Sequence, residues 1–100
     1  MNDCKFIGKI VDKPELQSMA ETQVLRFNMV VDKFRKNKMG QKIRDRNCLP
    51  FEAWDSGARL INEYCGTDDE IFVDCVARIS DGKMVFRVNE FKIIPQIETI

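Results

Sequence analysis

From Gln23 to Phe34 the side chains alternate in character: Leu25, Phe27, Met29 and Val31 share one parity, and Val24, Arg26, Asn28, Val30, Asp32 and Phe34 the other. An extended backbone sends successive side chains to opposite faces, so this segment reads as a half-buried β-strand with the first set turned to a core. Such a strand must lie in a larger sheet that covers one face, and the remaining segments supply it.

Cys4 to Val11 forms a first strand, apolar on both parities, with Gly8 marking a bulge or sharp bend of the kind a curled sheet needs. Asp12-Lys13-Pro14-Glu15 ends it, and a polar connection leads to about Thr22. After the strand from Gln23 to Phe34, a turn over Asn37–Gln41 with Gly40 precedes a third strand from about Lys42 to Ala53, with Leu49, Phe51 and Ala53 core-facing. Pro50 donates no hydrogen bond, which suits an edge or a bulge. Asp55 or Ser56 is expected to cap a helix through Cys65, with Leu60, Ile61, Tyr64 and Cys65 as its apolar stripe and Gly66 as its stop. A fourth strand, Glu70–Ile79, turns at Asp81-Gly82 into a fifth, Met84 to about Ile94, closed by Pro95. On parity Phe6, Phe27, Phe51 and Phe91 belong to the core, while Phe72 and Phe86 fall on second faces available to a subunit interface.

The order β-β-β-α-β-β predicts an all-β domain with one short helix between strands 3 and 4. This is the five-stranded Greek-key barrel of the OB-fold, whose binding surface lies on its second and third strands and adjoining loops. One domain over residues 1–95 is expected, with a short flexible end over residues 96–100.

The chain's formal net charge of zero conceals a strong asymmetry. Lys33, Arg35, Lys36, Lys38, Lys42, Arg44 and Arg46 fall within fourteen positions opposed only by Asp45, about +6 against −6 for the rest. Alone, such a run is most often a solvated loop. Here it occupies the hairpin between the second and third strands. Phe34 shares the outward parity with Arg26, Asn28 and Asp32, and Trp54 shares it with Arg44, Arg46 and Glu52. Aromatic rings among cations suit single-stranded nucleic acid: bases stack for roughly 1–3 kcal/mol each and cations follow the phosphates. Packing is the alternative for both rings, Phe34 over the barrel's end and Trp54 beneath the helix start or in a subunit interface. Asp32 and Glu52 on the same face argue against an unbroken phosphate track.

There is no histidine, no paired C-x-x-C and no catalytic motif, so neither an enzyme nor a structural zinc site is expected, and no cofactor. Cys4, Cys48, Cys65 and Cys75 are expected as reduced, core-associated thiols. Asp68-Asp69-Glu70 reads as a solvated turn rather than a metal site. The start of the chain has no signal-like apolar run and no segment has membrane-spanning length, so the expected location is the cytoplasm.

Asn2 to Ile10 followed by Asp12-Lys13-Pro14-Glu15-Leu16, Val24 to Val31, Phe51-Glu52-Ala53-Trp54, Ala58 and Glu63-Tyr64-Cys65-Gly66 together resemble the bacterial and phage-type single-stranded-DNA-binding proteins, over residues 2 to 94. The resemblance implies an OB-fold that coats and protects single-stranded DNA without sequence specificity in replication, recombination or repair. It also implies a homodimer or homotetramer, with replication or recombination proteins as further partners. By position Phe34 and Trp54 match the family's stacking aromatics, whereas a further aromatic aligns with Cys48. The hairpin between strands four and five is reduced to Ser80–Lys83, the Lys-Gly after the helix is Cys65-Gly66, and the sequence ends at Ile100 without the family's long acidic-tipped tail. Short OB adaptors of the replication-restart primosome are similar in size and are the alternative; a protein-interaction OB module, its basic arm docked on an acidic partner, is another.

Overall fold

The computed structural model describes residues 1–95. The expectation for residues 96–100 lies outside them. In chain order the elements are β1 (Cys4–Asp12), β2 (Gln17–Met19), β3 (Thr22–Lys36), β4 (Lys42–Trp54), α1 (Asp55–Tyr64), β5 (Glu70–Ser80) and β6 (Lys83–Ile93). Five of the six strands close a ring: β1 pairs with β3 and β5, β3 with β4, β5 with β6, and β4 with β6 in parallel. The helix lies between the third and fourth barrel strands. β2, an addition within the expected polar connection, pairs among the described residues only with the start of β3.

The alternation in β3 holds from Leu25 to Met29: Leu25, Phe27 and Met29 are buried, as are Phe51 and Ala53 opposite them on β4. Val24, on the other parity, is also fully buried, and Val31, expected in the core, is only half-buried where the hairpin leaves the barrel. Phe27 stacks on its cross-strand partner Phe51 with centroids 5.7 Å apart. Phe6 meets Phe51 and Phe86 edge-on at 5.7 and 4.9 Å. Full burial of each such ring stabilises the fold by roughly 1.5–3 kcal/mol. Phe86, expected on an outer face, thus belongs to the core. The register of β5 and β6 slips between Asp74↔Glu90 and Cys75↔Val88, leaving Asn89 as a bulge. That one extra residue lets Phe86 and Phe91, five positions apart, face the same way.

Gly8 sits where β1 leaves β5 for β3. A Cβ there would lie 2.6 Å from the Val30 carbonyl oxygen, so close backbone approach requires glycine; the bulge itself falls at Val11. The β5–β6 turn follows expectation. Asp81 and Gly82 take φ of 51° and 77° between the paired Ser80 and Lys83, as a tight twisted hairpin demands.

The helix departs from its expected caps. Trp54 occupies the N-cap position with no side-chain cap bond, and Asp55 Oδ1 instead accepts from the Gln23 amide at 3.1 Å. At the other end Cys65 is extended, so no left-handed glycine stops the helix. Lys13 Nζ reaches across and donates to the carbonyls of Asn62 and Cys65 at 2.5 and 2.6 Å, placing a cation at the helix's negative pole. Ala58, Ile61 and Cys65 face the core while Leu60 and Tyr64 are exposed, a narrower stripe than expected. Of the cysteines, Cys65 and Cys75 are buried, Cys4 is intermediate and Cys48 is exposed, contrary to expectation for the last; all four are free thiols.

Candidate nucleic-acid interface

β3 and β4 stay paired from Val24↔Trp54 to Lys36↔Lys42, well beyond the last core residues. No core residue lies between Met29 and Leu49, so both faces of the distal hairpin meet solvent and the hairpin projects as an arm. The Cα radius of gyration is 15.2 Å, against about 13 Å for a typical chain of this length. Asn37 shapes the tip: its Oδ1 accepts from the amides of Met39 and Gln41 at 2.9 Å each, and Gly40 takes φ of 78°.

Strand parity divides the basic residues. Phe34, Lys36, Lys42, Arg44 and Arg46 share the outer face, with Arg26 farther along it. Lys33 and Arg35 lie on the opposite face, both beside Asp45, whose Oδ2 accepts from Arg35 Nε at 2.8 Å. Lys38 is in the tip. Phe34 is 53% exposed, stands opposite Arg44, and carries Lys42 Nζ at 4.4 Å from its ring centre. A groove of about 450 Å³ runs from this ring toward β1, lined on one side by Val30, Asp32, Phe34, Arg44 and Arg46 and on the other by Ile7, Lys9 and Val11, with the acids Asp68 and Glu70 also in its wall.

Trp54 holds the other end of the same face, ten positions from the level of Phe34, or up to about 33 Å of strand. The two rings are therefore separate platforms. Trp54 is half-buried at the helix start, and its Nε1 is enclosed with no hydrogen-bond partner among the described residues. The Arg87 guanidinium lies 5.6 Å from its ring. Each sequence-derived aromatic thus has a cation against its ring.

Glu52 does not oppose a polyanion as its parity implied. It is 1% exposed, flanked in register by Arg26 on β3 and Arg87 on β6, with Arg78 Nη1 at 3.0 Å from its Oε1. Arg78 thus pairs with the buried carboxylate, while Arg26 and Arg87 are its neighbours in register on the flanking strands. Asp32 remains, in contact with Arg44 and Arg46.

Sequence reasoning missed Arg87, Lys9 and Ile7. For Ile7 and Val11 the signal existed: apolar residues on the polar parity of the first strand, both now exposed beside Phe34. The parity of Arg87 depended on the bulge at Asn89, which no residue type announces. Among the described residues no cluster of potential metal ligands occurs, and no helix is long and apolar enough to cross a membrane.

No protein-family model matches the chain, and no curated protein matches it in sequence. Solved structures do match. The protein PriB from Ralstonia solanacearum superposes with a TM-score of 0.78 at 6% identity, over 93% of this chain and 97% of that one. The second single-stranded-DNA-binding protein of Mycobacterium smegmatis gives 0.75 at 14% identity over 98% of each chain. The Plasmodium falciparum SSB, solved in complex with single-stranded DNA, gives 0.73 at 15% identity, over 94% of this chain and 93% of that one.

The fold is the OB-fold. Its ring order here places β3 and β4, the second and third barrel strands, as one continuous outer face with an aromatic at each end. The basic arm is the distal part of that OB face, and the groove beside Phe34 is the cleft between it and β1.

Proposed function

We propose that this OB protein binds single-stranded DNA along the outer face of β3 and β4, coating and protecting it without sequence preference during replication, recombination or repair, in the manner of phage-type proteins. The carrying observation is Phe34: a half-exposed ring with Lys42 against it and Arg44 opposite, on an arm that contributes nothing to the core. A solvent-facing aromatic in a basic strand costs solubility and adds no packing, whereas stacking on a base uses its flat face. Lys36, Lys38, Lys42, Arg44 and Arg46 neutralise phosphates around it, with Lys33 and Arg35 adding to the field from the arm's other face. Trp54 and Arg26 extend the track toward the helix, joined by Arg87. The similarity to DNA-binding OB proteins supports the reading at the level of fold.

Trp54 is the sole tryptophan, so titration with oligo-dT reports on partner and site together. Emission is expected to change on binding, and affinity to fall with salt at about −0.7 log units per log unit of salt for each phosphate neutralised. Saturable oligo-dT binding with unchanged emission would remove Trp54 from the site; absence of binding would remove the proposal.

The likeness to PriB, covering 97% of that chain, favours a second reading in which the protein binds single strands as a dimer and serves chiefly as an adaptor for replication proteins. Light scattering distinguishes a dimer from a tetramer, and co-purification from a replicating host identifies such partners.

A further inference from the structure

Among the described residues Asp32 is the one carboxylate in direct contact with the outward cations beside Phe34. Its Oδ2 accepts from Arg44 at 2.7 Å (Nη2) and 3.0 Å (Nε), and its Oδ1 lies 3.7 Å from Arg46 Nε. The side chain is 26% exposed, against 49% for Arg44 and 62% for Arg46, so the carboxylate sits beneath the guanidinium groups in the wall of the groove. Carboxylate and phosphodiester oxygens present the same forked acceptor to a guanidinium. Resting on the single-strand reading above, we propose that Asp32 is an intramolecular competitor for DNA phosphate: it occupies Arg44 and Arg46 in the free protein and yields them when a strand enters the groove.

The consequence is specific to this residue. An acid within a polyanion's track lowers affinity in two ways, by repelling the phosphate and by satisfying the donors the phosphate needs. It also reduces the salt dependence, because arginines already neutralised by a carboxylate hold fewer counterion-equivalents to exchange. Asp45 provides an internal control. It pairs with Arg35 at 2.8 Å in the same arm but on the opposite face, so its neutralisation changes net charge equally without freeing a groove cation.

The test measures polarisation of a labelled oligo-dT over a range of salt for the wild type, Asp32→Asn and Asp45→Asn. For D32N the expected result is about fivefold tighter binding at low salt and a log–log salt slope steeper by about 0.7. D45N is expected to change affinity by less than about twofold. Equal tightening by D32N and D45N would overturn the proposal in favour of a general charge effect. Unchanged or weaker binding by D32N alone would overturn it too, the carboxylate then orienting the arginines rather than competing for them. Either result leaves wild-type binding, and with it the single-strand reading, intact. Absence of binding by all three proteins would instead overturn that reading and this inference with it.

Discussion

Phe34 and Trp54 were both legible in the sequence as aromatics on the outward parity of neighbouring strands, yet their surroundings differ. Phe34 projects from an arm, whereas Trp54 is half enclosed at the start of α1. Phe34→Ala removes a stacking ring and little packing, so oligo-dT affinity is expected to fall roughly 5- to 150-fold, the equivalent of one lost base stack, with the unfolding midpoint unchanged. An unchanged affinity would move the site off the arm. The cysteines give a second check. Burial, reinforced by Cys4 beside it, pushes the Cys75 thiol up to about 11. At pH 8 only about one Cys75 thiol in a thousand is ionised, so alkylation of the native protein should reach exposed Cys48 first. Cys48 lies on the outer face opposite Val30, and bound oligo-dT should protect it; mass spectrometry of labelled peptides reads both outcomes. The same shift has a thermodynamic sign. Above about pH 9 the unfolded chain releases the Cys75 proton while the native state keeps it, so stability should fall as pH rises from 9 toward 11. Replacing Cys75 with Val should remove that part of the alkaline slope.

At the scale of elements, strand order and the two hairpin turns were legible because each rests on a local signal: alternation, Asp-Gly, or Asn with Gly. What escaped detection depends on contacts far apart in sequence. The bulge at Asn89 is set by where β6 must meet both β5 and β4, so Phe86 was placed outside and Arg87 overlooked. Nothing local marks Lys13 as the group that satisfies the end of α1, 49 and 52 positions away. Gly8 was legible as a bend, but its cause is a neighbour's carbonyl. Gly8→Ala must displace the Val30 backbone at the β1–β3 seam, which holds only three register pairs. A loss of about 1–3 kcal/mol in urea unfolding is expected. Lys13→Met keeps the stem and removes the charge, and should cost about 1 kcal/mol. A stability change near zero for Lys13→Met would mean that water serves those carbonyls equally well.

For the whole molecule the charge asymmetry and the barrel are separable, and that separation is the strongest test of function. Core packing stops at Met29 and Leu49, while the cations lie beyond them. Joining the paired residues Val31 and Asn47 through Asn-Gly in place of residues 32–46 removes seven basic and two acidic residues, a change of 7 − 2 = +5, and leaves the remainder at −5. A two-residue turn of that composition matches the twist of the strands it would join. The shortened protein should therefore unfold cooperatively at a midpoint close to that of the full chain, since no buried side chain has been lost. Its interaction with DNA should change completely. The distal track has gone, and a net negative body repels the polyanion that the arm once attracted. If the truncated barrel still bound oligo-dT within about threefold of the parent, Trp54, Arg26 and Arg87 would constitute the whole site, and the arm would be free for an acidic protein partner. A folded barrel with no measurable affinity would place the binding energy in the arm.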